Sequence, residues 1–126
     1  MRKQLFFWTA ISWTGLVSYL CLMQSKDIPS VTIPYLDKFV HVFFHFVFTS
    51  LWFLYFRIQI KSTNVFKPLF VSFLFSLFFG ITIEIAQSLF TATRNADVYD
   101  VLANSFGALV AVFLLFRFRL SLAKYN

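Results

Sequence analysis

Acidic residues are scarce in this chain: five Asp and Glu among 126 residues, against eleven Lys and Arg. Charged residues of either sign make up 13%, where a soluble domain carries about 25%. Cysteine is rarer still. Cys21 stands alone inside an apolar run, which gives no disulfide framework and no metal set and leaves it a packing role. There is no H-E-x-x-H, no recognised nucleophile motif, and no repeat or low-complexity tract beyond a bias to phenylalanine. A net charge of +6 suggests nucleic acid, but no soluble basic face is left to bind it. The charge reads better as a topology signal.

Hydrophobic residues are abundant, at 60% of the chain, with a mean hydropathy of +0.76. Twenty phenylalanines are too many for a soluble core of this size but suit a lipid-facing surface. The length fits one compact unit, since about 100–200 residues make one domain. Four apolar runs follow in order: Leu5 to Met23, Phe39 to Phe56, Leu69 to Phe90 and Val98 to Phe116. At ~1.5 Å per residue each is long enough, or nearly so, to cross a hydrocarbon core of ~30 Å. The first run follows a basic start, as in a signal peptide. It exceeds the h-region of one, however, and no small-x-small cleavage site follows. Leu20 before Cys21 also speaks against lipoprotein processing, so a retained first helix is expected. Pro29 and Pro34 break the first connection, Arg57 to Lys67 form a basic linker, Pro68 suits a first helical position, and Thr91 to Asp97 form a polar turn. The expectation is an all-α polytopic membrane protein: four transmembrane helices (about 5–23, 39–56, 69–90 and 98–116) in one bundle.

Lys and Arg near the ends of these runs set an orientation. Eight of the eleven (Arg2, Lys3, Arg57, Lys61, Lys67, Arg117, Arg119, Lys124) fall on one side of a four-span arrangement. Lys26, Lys38 and Arg94 fall on the other, together with all five acids, Asp27, Asp37, Glu84, Asp97 and Asp100. Both termini are therefore expected in the cytoplasm, in a protein of the inner (cytoplasmic) membrane.

The same arrangement gathers polar residues at one depth, the extracytoplasmic leaflet. Asp37, His41 and His45 recur every four residues on one face of the second helix. Glu84 and Gln87 lie near the outer end of the third; Asp97, Asp100 and Asn104 begin the fourth; Arg94 lies between. An ionisable group in hydrocarbon costs about 2.5–3.5 kcal/mol on insertion scales, so such a cluster needs partners, water or a function. Small residues at four-residue steps (Ser72, Ser76, Gly80 before Glu84; Ala103, Gly107, Ala111) allow close helix packing and turn Glu84 and Asn104 inward. Bland readings stand beside the functional ones. Asp37 and Asp97 are placed as N-caps, Lys38 to snorkel to the interface, and Glu84, Arg94 and the aspartates to form a structural network. A buried carboxylate at Glu84 must find a cation, a proton or water, and Arg94 is the obvious cation. His41 and His45 form H-x-x-x-H, able to hold one ion from adjacent turns. His41 fits a proton carrier or a hydrogen-bond donor to Asp37 or Glu84 better. No cofactor is expected, a divalent metal being the exception left open.

The order Asp37-Lys38-x-x-His41, Glu84-x-x-Gln87, Arg94-x-Ala96-Asp97-x-x-Asp100-x-x-Ala103-Asn104-x-x-Gly107 resembles the VanZ-like family of small bacterial membrane proteins. The resemblance covers three of the four runs and implies that these residues, from Asp37 to Gly107, stand at the family's signature positions. His45 replaces an aromatic residue common in the family, and Ala92-Thr93 replaces a frequent Pro or Gly before the arginine. The family's founding member is associated with low-level resistance to the lipoglycopeptide teicoplanin. Two functions follow as expectations. One is a non-catalytic envelope protein whose site (Asp37, Lys38, Gln87, Arg94, Asp97, Asp100, Asn104) binds a lipid headgroup or lipoglycopeptide, with a membrane lipid or lipid-linked envelope component as partner. The other is an intramembrane enzyme acting on a phosphorylated or acylated lipid. There Glu84 or His41 is the general base, Arg94 clamps phosphate, and Asp97 and Asp100 hold a divalent ion.

Overall fold

Long apolar stretches with few helix breakers leave the backbone one way to satisfy itself in lipid, which is to close its hydrogen bonds within each segment. The computed structural model describes residues 2–23, 36–60, 64–91 and 97–123, residues 119–123 by backbone alone. Four helices account for nearly all of them: α1 (Arg2–Cys21), α2 (Leu36–Gln59), α3 (Phe66–Phe90) and α4 (Val98–Ala123). Each apolar run is thus a helix, but α2 starts earlier and α4 ends later than hydropathy predicts. Hydropathy marks where lipid contact ends, whereas Asp37, Lys38, Arg57 and Arg117 are compatible with helical backbone beyond it. Pro68 is the third helical residue rather than the first. It sits in the first turn, where a missing N–H removes no intrahelical bond.

Three helices are long and apolar enough to cross a membrane: α2, α3 and the Val98–Phe118 part of α4. The first helix is not among them, because Thr9, Ser12, Thr14, Ser18 and Tyr19 dilute its apolar content. Its Thr9, Thr14 and Ser18 hydroxyls each donate to the carbonyl four residues back, at 2.7–2.8 Å.

Polar and apolar residues are distributed as in a membrane bundle. At most 33% of each spanning window is buried, and the outward side chains include Phe39, Phe70, Phe78, Phe106 and Phe113, all more than half exposed. The interior holds His41, His45, Thr49, Ser72, Ser76, Glu84, Gln87, Asp100 and Asn104 alongside its apolar residues. A soluble domain would not turn so much phenylalanine outward while burying so many polar groups.

The helices run up and down, with α2 in contact with all three others; α2 and α4 share the most extensive contact. Gly107 makes that approach possible, since a Cβ there would overlap the carbonyl oxygen of Val42. This is the small-residue contact expected where hydrophobic burial does not drive helices together. On α4 the buried stripe is Asp100, Asn104, Gly107, Ala108 and Ala111, while Ala103 is only half-buried. An aromatic core joins α1, α2 and α3 around Phe48 and Trp52, with Phe48 and Phe79 stacked at 4.6 Å. Trp13 Nε1 donates to Phe44 O (3.0 Å) and Trp52 Nε1 to Thr14 Oγ1 (3.1 Å), which fastens α1 to α2. The C-terminal ends of α1 and α3 therefore meet the N-terminal ends of α2 and α4 at one end of the bundle.

Candidate functional site

The first turns of α2 and α4 lie side by side at that end, so Asp37-Lys38 faces Asp97-x-x-Asp100. Lys38 Nζ donates to Asp37 Oδ2 (2.9 Å), Asp97 Oδ2 (2.7 Å) and Asp100 Oδ1 (2.5 Å). An ammonium has three N–H donors, and all three are used. Lys38, expected to snorkel to the interface, has a side chain 25% exposed and sets its ammonium among three carboxylates, of which Asp37 (57%) and Asp97 (38%) are the more exposed. Asp97 is the N-cap of α4, as its position before the helix suggested. Its Oδ1 accepts from Tyr99 N–H at 2.9 Å. The Lys38 ammonium first, and then that N–H, hold the Asp97 carboxyl below its ordinary range. Asp37 is not an N-cap, since α2 already begins at Leu36. It lies in the first turn, where a negative charge still complements the helix dipole.

Deeper in the bundle, His41, Glu84 and Asp100 close on one another; each is less than 7% exposed and each offers a ligand atom within 4.8 Å of the others. His41 Nδ1 meets Asn104 Oδ1 at 2.9 Å. That oxygen can only accept, so Nδ1 donates and the lone pair of neutral His41 is on Nε2, which lies 3.6 Å from Asp100 Oδ2. Glu84 Oε2 accepts from Asp97 N–H (3.0 Å). Its Oε1 is buried and has no hydrogen-bond partner among the described residues.

The remaining expected site residues divide. Gln87 is buried, but its amide donates to Cys21 O (2.6 Å), joining α3 to the end of α1 rather than facing the carboxylates. His45 bonds Ser76 Oγ through Nδ1 (2.8 Å) among Phe48 and Phe79. It is not part of the one group of three or more His, Cys, Asp and Glu close enough to share an ion among the described residues. Arg94 lies outside the described residues, and with it the expected Glu84–Arg94 pair. Sequence reasoning missed the central place of Lys38 and the capture of Glu84 by a backbone N–H. One cation set opposite Asp97-x-x-Asp100 was the available signal for the first; nothing in the residue types signals the second.

Four carboxylates and one ammonium leave the described site with a charge of −3 when all ionise and His41 is neutral. The charge of these described residues attracts cations and amines. Beneath it, Gly80 leaves room for the side chains of Asn104 and His45.

A family model described as VanZ/LLP1 matches residues 4–119, a stretch that contains every signature position named above. No curated protein and no solved structure matches the chain. The match takes in almost the full length and the whole acidic site: the chain belongs to the VanZ/LLP1 family.

Proposed function

We propose that this is an integral membrane protein of the bacterial cell envelope that binds the headgroup of a membrane lipid or lipid-linked compound, lipoglycopeptides included. The observation that carries the reading is a polar, partly open cluster (Lys38, Asp97, Asp100, His41, Glu84) at one end of a bundle whose flanks are apolar. That end lies where headgroups begin. With α1 as a fourth span and both termini in the cytoplasm of an inner-membrane protein, the charge bias puts the site on the extracytoplasmic side. Its negative charge favours a headgroup that carries an amine. Native mass spectrometry of the detergent-solubilised protein with amine-bearing and amine-free lipids tests this. Selective retention of the amine-bearing class, lost in Asp97→Asn, supports the reading; equal retention of both classes refutes it. Reporter fusions at each terminus test the orientation.

A second reading, an intramembrane enzyme acting on a phosphorylated or acylated lipid, is favoured by Glu84, whose Oε1 has no partner among the described residues and whose carboxylate lies within 4.8 Å of a His41 ring nitrogen. A carboxylate and an imidazole so placed can take up and return a proton. Lipid turnover by purified protein that disappears in a folded Glu84→Gln variant would select it over simple binding.

A further inference from the structure

We propose that His41, Glu84 and Asp100 bind a divalent transition-metal ion, of the zinc or manganese class, between α2, α3 and α4. Each of the three side chains is held by a second group through one atom, and one ligand atom from each lies within 4.8 Å of those of the other two. Asn104 fixes the His41 ring through Nδ1 and leaves Nε2 as the acceptor. The Asp97 N–H holds Glu84 through Oε2 and leaves Oε1 buried without a partner among the described residues. Lys38 holds Asp100 through Oδ1 and leaves Oδ2 facing His41 Nε2 at 3.6 Å. Metal sites are commonly oriented in this way, with the imidazole or carboxylate atom that does not ligate tied by an outer hydrogen bond.

The distances agree with a shared ion. Ligand atoms about 2.0–2.2 Å from a metal are about 3 Å apart when adjacent and a little over 4 Å apart when opposite. The observed spread, up to 4.8 Å, needs only small inward movements. One imidazole and two carboxylates suit zinc or manganese better than calcium or magnesium, which prefer oxygen alone. Three protein ligands also leave coordination positions for water or a ligand oxygen. The charge of the site accommodates a dication: Glu84 and Asp100 neutralise it, and Lys38 remains paired with Asp37 and Asp97. The ion site differs from both pairings read from sequence, His41 with His45 and Asp97 with Asp100. It stands whether or not a lipid headgroup binds above it.

The test uses full-length protein purified through a non-histidine tag, stripped with chelator and dialysed against Zn2+ or Mn2+. The expected result is close to one ion per chain by elemental analysis, with a higher melting temperature than the stripped protein. Asp37→Asn and His45→Phe should keep the ion, and Glu84→Gln and Asp100→Asn should lower occupancy at least tenfold. X-ray absorption of the loaded wild-type protein does not depend on any variant folding, and should show a mixed nitrogen and oxygen shell with one imidazole. Less than about a tenth of an ion per chain in wild type, a shell with two imidazoles, or full occupancy in folded Glu84→Gln would each overturn the proposal.

Discussion

Replacing Gly107 by Ala adds one methyl group where α4 touches the backbone of α2. The new Cβ would overlap Val42 O and lie 3.0 and 3.1 Å from Val42 C and Cα. All three are backbone atoms, so no side-chain rotation relieves the contact and the helices must separate. Overpacking a filled interior costs about 1–3 kcal/mol. A collision with backbone belongs at the upper end, about 3 kcal/mol. For a domain of this length 1 kcal/mol corresponds to about 3–5 °C in Tm, so a fall of about 10–15 °C is expected. Gly15 provides the control, because a Cβ there meets nothing within 4 Å. Gly15→Ala should leave Tm unchanged or raise it slightly, as alanine is the better helix former by about 1 kcal/mol. Thermal denaturation in one detergent, followed by size exclusion with tryptophan fluorescence, compares the two variants directly. Separation of α2 from α4 also draws Lys38 away from Asp100, so Gly107→Ala should lose both stability and the polar site. Equal melting temperatures for the two variants would refute the close approach.

Lys38→Met leaves three carboxylates without their cation. Breaking a buried pair costs about 3–5 kcal/mol, and the one-quarter exposure of Lys38 reduces that to about 2–4 kcal/mol through solvent screening; the double variant Lys38→Met/Asp100→Leu should regain part of the loss in the same melting assay. Acid should destabilise the protein through Asp97. Its folded pKa lies below the ordinary 3.8, so its contribution is intact above that value and is lost as pH falls through the lowered one. The acid limb of Tm against pH should therefore be shallower in Asp97→Asn, which keeps an N-cap; a steeper limb would contradict the assignment. Trp13→Phe removes the indole bond to Phe44 O and should cost about 1 kcal/mol in the same melting assay. Gly80→Ala would bring a methyl within 2.9 Å of Asn104 Nδ2 and 3.1 Å of His45 Cε1, displacing the residue that orients His41, and should lower occupancy of the proposed ion site in the elemental assay.

Four helices were legible because apolar runs of about 20 residues have few other meanings. The depth shared by Asp37, His41, Glu84 and Asp100 followed from connectivity alone, since alternating helices put those positions at one end. Partner choice was less visible. Charge pairs Glu84 with Arg94, which lies outside the described residues; the partner seen among them is the Asp97 backbone N–H, and a peptide group has no identity in a sequence. Lys38 looked peripheral because it begins an apolar run, but α2 extends past it and turns it toward α4. The separation of His41 from His45 was also hidden. Four-residue spacing puts them on one face, but only neighbouring helices decide that one meets Asn104 and the other Ser76.

The hydroxyls of α1 bear on how this helix meets a lipid phase. A per-residue hydropathy score charges Thr9, Thr14 and Ser18 as if each O–H had lost water and gained nothing, yet each is already bonded to its own backbone. The desolvation penalty assigned to them is therefore largely met before the segment leaves water. Composition alone consequently understates the affinity of this segment for hydrocarbon.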